Sequence, residues 1–458
     1  MQSEKVYILL PDGVGLRNFI YTDFLEHGEA IVWTPLKYLD PAIRQRRLPD
    51  FSLVKSTDTF KSALIRANIF RNYRRTGNPS YLDYLFPPSG GFKNRVKHSI
   101  IDLLAKIHTG PKSIARLHRR YLDSLRRSSY YHESLRQLES DRPAFVFCTH
   151  QRMLNAAAPV LAARDLGIPT GTFIFSWDNL PKGNLSVPAE HLFVWSDYMK
   201  REAMEYFPQY AAEHIHVVGT PQFIPYTDES LRESRKSFCG RYNLDPEARI
   251  ICFSGDDVTT SPHDPLYLRD TAEAVRRLNT CGDTKYQILF RRCPVDFSGR
   301  YDRLIEEYDD VIRDVPPLWR KPEGLQSWNA VVPTPEDVKL LVNTVLHSDT
   351  AINVGSTIAH DFACLGKTSC YLNYNVVKNN EWDIHKIYRF VHFQSMNELD
   401  PVYWANSSEA IDETLVNAIE DRKRKREDAR RWLERIALHP LSDANRRIWQ
   451  KITELSGL

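Results

Sequence analysis

Between Val331 and Tyr374 the sequence leaves little choice of local structure. Pro333-Thr334-Pro335-Glu336 opens a helix that runs to about Ser348, with Val338, Leu341, Val342 and Val345 along one face. The apolar run from Thr350 to Val354 predicts a strand, which breaks off at Gly355-Ser356-Thr357. A second helix carries Ile358, Phe362 and Leu365 at helical spacing and stops at Gly366, before a strand from Ser369 to Asn373. A strand that runs through Gly-Ser-Thr into a helix sets unpaired backbone N–H groups and two hydroxyls at a helix N-terminus, which suits a phosphate or diphosphate. The plainer alternative is an N-cap with glycine at a tight turn.

The same alternation fills most of the chain. Val6 to Leu10 predicts a strand ending in Pro11-Asp12-Gly13-Val14-Gly15, followed by a helix carrying Leu16, Phe19, Ile20 and Phe24. Gly13 and Gly15 would let backbone approach a ligand at the strand's carboxyl end. The third glycine of a dinucleotide fingerprint is missing. Ile31 to Thr34 is a second strand. Residues 57 to 140 read as mostly helical, broken by a Pro/Gly-rich loop at Gly77 to Lys93, and are rich in arginine and aromatic residues. A solvated helix face explains such a block; a surface for anionic lipid or an anionic acceptor is the alternative.

Ala144 to Cys148 is a buried strand ending in Thr149-His150-Gln151-Arg152, and a helix follows from Leu154 to Leu166. Thr170 to Phe175 ends in Ser176-Trp177-Asp178-Asn179. Leu192 to Trp195, a helix from Met199 to Tyr206, and Ile215 to Val218 complete the first half. Polar residues therefore recur at strand ends, at His150, Asp178, Ser196 and Thr220, and a parallel sheet gathers such ends on one edge. A fresh series has strands at Ile250 to Phe253, Tyr286 to Phe290, Val311 to Ile312, Ala330 to Val332, Ala351 to Val354 and Cys370 to Leu372. From about Ser407 the chain reads as charged helix, closed by a helix from Asp443 to Leu455.

The 458 residues have room for two or three domains. Lys and Arg number 61 against 58 Asp and Glu, a net of +3, which argues against a dedicated nucleic-acid binder. Seven cysteines without a Cys-x-x-Cys pair predict reduced, mostly buried thiols. The N-terminus lacks a signal-peptide pattern and no window approaches a membrane span, so the expected compartment is the cytoplasm.

Four stretches carry a resemblance: Pro11-Asp12-Gly13-Val14-Gly15-Leu16-Arg17-Asn18, Phe175-Ser176-Trp177-Asp178-Asn179, Val218-Gly219-Thr220-Pro221-Gln222 and Asn353-Val354-Gly355-Ser356-Thr357. With the two βαβ halves, they make the chain similar to GT-B nucleotide-sugar glycosyltransferases of the surface and capsular carbohydrate type. More distantly it resembles the sugar-nucleotide 2-epimerases and glycerophosphotransferases of that fold. The resemblance implies an α/β architecture of two Rossmann-like domains facing across a cleft, with an added helical block and a C-terminal crossover helix. The implied domains are 1–225 for the acceptor (helical insertion at about 57–140), 226–440 for the donor, and a helix at 441–458 packing back on the first. It further implies that Gly355, Ser356 and Thr357 hold the donor diphosphate, with Asp361 at the ribose. Ser254 and Gly255 would face the same phosphates, Arg291 and Arg292 would supply basic groups, and Thr334 would line the base. Gly13, Gly15, Arg17, Trp177 and Asn179 would serve the acceptor.

Glycosyl transfer needs a stabilised leaving diphosphate, an aligned acceptor hydroxyl and, for inversion, a base. The candidate bases are Asp178, His150 and Asp12, each at a predicted strand end; an Asx turn, a helix cap and a glycine-turn brace are their structural alternatives. No metal-ligand spacing is present, so the expectation is a metal-independent enzyme without a cofactor, using a UDP-type nucleotide sugar. The expected acceptor is a surface glycan or lipid-linked glycan, with peripheral contact at the inner membrane face through the Arg-rich helices and no nucleic acid. A 2-epimerase of the same fold and a non-enzymatic nucleotide-sugar-binding protein are the alternatives.

Overall fold

A computed structural model describes residues 5–36, 39–85, 91–320, 331–378, 382–420 and 422–458. The chain divides into two compact units. The first comprises Met1–Pro221 with Phe390–His392 and Ile436–Leu458, and the second Gln222–Arg389 with Phe393–Arg435.

The first unit is built on a seven-stranded sheet: β1 (Val6–Leu9), β2 (Ala30–Thr34), β3 (Gln45–Arg47), β4 (Phe145–Cys148), β5 (Thr170–Phe173), β6 (His191–Val194) and β7 (Ile215–Val217). Their order is β3-β2-β1-β4-β5-β6-β7, and every pairing is parallel. The central strands β1, β4 and β5 are buried at every position, as a sheet covered on both faces requires. Alternation along each strand then sorts the core into two layers. Tyr7, Leu9, Val146 and Cys148 join Ala63, Ala67, Leu117, Tyr121 and Leu125 from the helical block. Phe147 turns the other way, onto Phe19, Phe24 and Phe193.

The helical block consists of Lys55–Thr76, Phe92–Ile107, Pro111–Arg126 and Ser129–Asp141, with a 3-10 turn at Pro79–Tyr84. The helix expected after β1 is instead a π-type turn at Leu16–Ile20 and a 3-10 turn at Asp23–Glu26. The reason is packing. Phe19 and Phe24 meet edge to face at 5.0 Å, whereas residues five apart on an α-helix point about 140° away from each other.

The second unit carries β8 (Arg249–Ser254), β9 (Tyr286–Arg291), β10 (Ile312–Asp314), β11 (Thr350–Asn353), β12 (Ser369–Leu372) and β13 (Val402–Ala405). This sheet is also all parallel, in the order β10-β9-β8-β11-β12-β13. The strand expected at Ala330 to Val332 is not part of it. Residue 330 lies outside the described residues, and Val332 makes only an isolated antiparallel bridge to Arg320. Two strands had no counterpart in the sequence reading. β3 is a largely exposed edge without an apolar pattern, and β13 is a four-residue run behind Pro401 that β12 recruits.

In both sheets the strand order reverses beside the first strand, between β1 and β4 and between β8 and β11. The crossovers on either side of such a point lie on opposite faces, which opens a crevice at the strands' carboxyl ends.

The helix Ala444–Ser456 belongs to the first unit. Trp449 packs on Phe24 with ring centroids 5.5 Å apart, and its Nε1 donates to the Phe24 carbonyl at 2.6 Å. A Cβ on Gly28 would fall 2.4 Å from that indole, so only glycine leaves room for it. Asn445 Nδ2 donates to Thr22 Oγ1 at 2.9 Å and to Asp23 Oδ1 at 2.6 Å. Trp449→Ala should therefore destabilise the first unit by about 3–5 kcal/mol, read as an earlier urea transition in near-UV circular dichroism. A change under about 1 kcal/mol would show that the helix is dispensable to the unit.

Candidate active site

At the first sheet's reversal point, two sequence candidates form one pair. Asp12 follows β1 and His150 follows β4, and His150 Nδ1 lies 2.7 Å from Asp12 Oδ2 with both side chains about 1% exposed. The other Asp12 oxygen accepts from the Gly15 amide at 3.2 Å. A carboxylate can only accept here, so Nδ1 is the donor, and the neutral tautomer that fits this contact has its lone pair on Nε2. Nε2 is buried and has no hydrogen-bond partner among the described residues. Phe175 lies against the imidazole at 4.4 Å. Gly15 sits in close packing, where a Cβ would fall 2.4 Å from Leu10 Cδ1 and 3.0 Å from Thr149 Oγ1. Gly13 is buried, and its carbonyl accepts from the Leu16 amide at 3.2 Å. Arg17 is half-buried in the turn that follows.

Asp178, after β5, is engaged differently. Lys182 and Asn179 donate to its two oxygens. Burial pushes its carboxyl up, but Lys182 and His392, with hydrogen bonds from Lys182 and Ser176, hold it well below the usual carboxylate range. It is thus an ionised partner for Lys182 and a weak proton acceptor. Asn179 is buried, and its Oδ1 accepts from Gln151 Nε2 at 2.9 Å, while Gln151 Oε1 accepts from the Phe175 amide. Trp177 is buried edge-on against His392 at 4.8 Å, and Tyr84 Oη lies 3.3 Å from His392 Nδ1. Burial pushes His392 down to about 3, so it is neutral near pH 7.

Arg152, Gln151, Lys182, Tyr84 and His392 were absent from the sequence-derived site. Arg152 is the most notable of them. Its Nε is buried without a hydrogen-bond partner among the described residues; burial lowers its pKa while Asp178 and Asp12 oppose the shift. The Thr149-His150-Gln151-Arg152 strand end was the available signal.

In the second unit, β11 leads into Gly355 at φ +66°, then Ser356, Thr357 and the short helix Ile358–Cys364. Glycine is required at this left-handed position. A Cβ would also crowd Phe393, Ile387 and Tyr388 at 3.1–3.3 Å. Asn353 Oδ1 accepts from the Ser356 amide at 2.7 Å, and Tyr371 Oη donates to the Ser356 carbonyl at 3.0 Å, so the turn is held from both sides. Asp361 is buried and accepts from Tyr226 Oη at 2.8 Å. Ser254 and Gly255 lie at the neighbouring end of β8, where the Gly255 amide donates to the Arg291 carbonyl at 2.9 Å.

The two arginines have structural partners. Arg291 Nη2 lies 2.9 Å from both oxygens of Asp337, and both side chains are buried. Asp337 also accepts from the Leu318 amide and Trp319 Nε1. Arg292 pairs with Asp314 at 2.7 Å and more loosely with Asp302. Thr334 is the N-cap of the helix Pro335–His347, accepting from the Asp337 amide and donating to the Leu318 carbonyl.

The loop after β8 adds a feature the sequence reading missed. Asp264 Oδ2 accepts from Tyr301 Oη at 2.7 Å and from the Asp256 amide at 3.1 Å, and Arg300 grips the Asp256 carbonyl at 2.6 Å. Burial raises both carboxyls. Asp264 reaches about 6 although hydrogen bonds from Tyr301, the Asp256 amide and Ser261 and the charge of Arg300 oppose the shift, and Asp256, raised further by the charges of Asp264 and Asp257, stands well above its usual value. No group of three or more His, Cys, Asp or Glu among the described residues is placed to hold a metal ion.

Two doubly wound parallel sheets in one chain match the GT-B fold of similar solved structures. MnaA of S. aureus, solved with UDP, matches with a TM-score of 0.52 at 13% identity, covering 100% of this chain and 98% of that one. The UDP-GlcNAc 2-epimerase of Methanocaldococcus jannaschii matches with a TM-score of 0.52 at 12% identity, covering 98% and 99%. The wall teichoic acid polymerase TagF matches with a TM-score of 0.53 at 10% identity, covering 100% and 90%. At such identities the likeness is one of fold. No family model matches the sequence, and no curated protein sequence matches it significantly.

Two predictions follow from the second unit's geometry. Arg291→Met strands the buried Asp337 carboxylate and should lower the unit's stability by about 3–5 kcal/mol without any ligand. A purely ligand-binding arginine would leave the unliganded protein unchanged. Asp264, raised from 3.8 to about 6, holds a proton in the folded unit that the unfolded chain releases. Its stabilising contribution is complete below about pH 4 and lost as pH rises through about 6. Asp264→Asn should therefore gain stability relative to the parent between about pH 4 and pH 7; a constant difference over that range would exclude the retained proton.

Proposed function

We propose that this protein is a nucleotide-sugar enzyme, and specifically a glycosyltransferase that moves a sugar from a nucleoside diphosphate donor to an acceptor hydroxyl. The observation that carries this reading is the Asp12–His150 pair at the reversal point of the first sheet. A neutral imidazole with its lone pair on Nε2 can take a hydroxyl proton, and the carboxylate behind it orients the ring and stabilises the imidazolium that forms. Asp178, already ionised against Lys182, acts as a positioning group in this reading. Arg152 supplies positive charge beside it.

The donor's diphosphate belongs to the Gly355-Ser356-Thr357 turn at the second sheet's reversal point, with Ser254 and Gly255 on the adjacent strand end. Arg291 and Arg292 then shape the strand end through their carboxylate partners, and the phosphates are met by backbone N–H groups and the two hydroxyls. Asp361, held by Tyr226, is the residue this reading assigns to a ribose hydroxyl. The reaction needs no metal in this scheme, and the donor is of the UDP type. The acceptor is a surface or lipid-linked glycan.

The 2-epimerases among the similar structures favour a second reading, a sugar-nucleotide 2-epimerase, which would use the same donor turn but need no acceptor. A panel of UDP, GDP, CDP and ADP in thermal unfolding, with and without EDTA, tests the shared part. One nucleotide at a hundred times its Kd should stabilise the protein by about 2.7 kcal/mol, with EDTA neutral and the effect lost in Ser356→Ala. No response to any nucleotide would exclude both readings. Incubation of the matching nucleotide sugar alone then separates them, because only an epimerase yields the C2 epimer without acceptor. His150→Gln should keep the nucleotide response and lower turnover by about 100-fold or more; unchanged turnover would remove His150 as the base.

A further inference from the structure

The helix Phe92–Ile107 packs into the first unit through one face and leaves a second apolar face uncovered. Ile101 and Ala105 are buried and Leu104 packs against the same core, while Phe92, Val96, Ile100, Leu103 and Ile107 are between 43% and 82% exposed. At 3.6 residues per turn these five fall within an arc of about 80°. They form one continuous stripe of large side chains rather than scattered surface hydrophobics.

The charge around the stripe is predominantly positive, although Lys97 is paired with Asp58 at 2.9 Å. Residues 92–127 contain ten Lys or Arg against two Asp, a net of +8 in a chain whose net is +3. Both acids are already paired, Asp102 with Arg66 at 2.6 Å and Asp123 with Arg126 at 3.2 Å. Arg95 and Lys106 are exposed along one side of the stripe. The following helix, Pro111–Arg126, exposes Lys112, Arg116, Arg119 and Arg120, and none of these four forms an ion pair among the described residues.

We propose that this face docks on an anionic lipid surface, with the Phe92–Ile107 stripe entering the headgroup–acyl boundary and the flanking Lys and Arg meeting lipid phosphates. A helix with a large apolar face, a cationic border and low overall hydrophobicity is suited to lie in that interface. Charge complementarity selects this occupant. A second copy docking through the same face would bring two +8 segments together, and a nucleic acid would leave Phe92, Ile100, Leu103 and Ile107 against phosphate and water. No helix among the described residues is long and apolar enough to cross a membrane, so the attachment is peripheral.

The test uses the full chain in vesicle co-sedimentation. One vesicle is phosphatidylcholine alone, and the other contains about one-third phosphatidylglycerol. The expected result is binding to the anionic vesicles that weakens as salt rises through physiological strength, because added salt screens the phosphates. The double variant Ile100→Ser/Leu103→Ser should bind at least about tenfold more weakly with an unchanged unfolding curve, since both side chains already face solvent. The charge variant Arg116→Glu/Arg120→Glu should lose the preference for anionic over neutral vesicles. Equal partition of parent and stripe variant, or absence of binding to anionic vesicles at low salt, would overturn the proposal. So would a concentration-dependent dimer that the stripe variant abolishes, which would make the face a self-association surface.

Discussion

Parallel pairing is the constraint on which both units depend. A parallel strand cannot be followed by a tight hairpin, so each successive strand is reached through a crossover that covers a face of the sheet. Every strand's carboxyl end is thereby delivered to one edge, and the apolar runs are confined to a doubly covered interior. The only freedom left is where the order reverses. In this chain it reverses once in each sheet, beside β1 and beside β8, and those points bring together the residues that follow the strands on either side: Asp12 with His150, and Ser254-Gly255 with Gly355-Ser356-Thr357.

That constraint also explains what could be read from the sequence. Strands such as Val6–Leu9 and Phe145–Cys148 are short, apolar and ended by polar residues, and a sheet buried on both faces demands just this pattern. Gly355 was legible because its position needs a left-handed backbone. Asp12 and His150 were each visible at a strand end, but as rivals for one role. Their partnership spans 138 positions and exists because β1 and β4 are neighbours, which no local pattern states. The fates of Arg291 and Arg292 were hidden for the same reason. Asp337 and Asp314, which pair with them, arrive from other elements.

Local readings failed where packing overrode propensity. Phe19 and Phe24 share one aromatic cluster with Phe147, and an unbroken helix after β1 could not have brought them together. The helical block shows the converse. Its arginines drew attention in the sequence, while the 3–4 spacing of Phe92, Val96, Ile100, Leu103 and Ile107 resembles any core-facing helix. Only the structure reveals that Ile101, Leu104 and Ala105 already occupy the inward face.

The placement of Trp449 bears on the order in which the molecule can be completed. The first unit draws on three separate pieces of the chain, whereas all of the second lies between Gln222 and Arg435. During synthesis the sheet from β1 to β7 emerges early, with Phe24 and the space over Gly28 still uncovered. The second unit's strands follow and can pair among themselves. The first unit is sealed only when the helix Ala444–Ser456 appears and Trp449 closes over Phe24. For more than two hundred residues of elongation, the nascent chain carries an open aromatic seam, the kind of surface that chaperones recognise and that aggregation exploits.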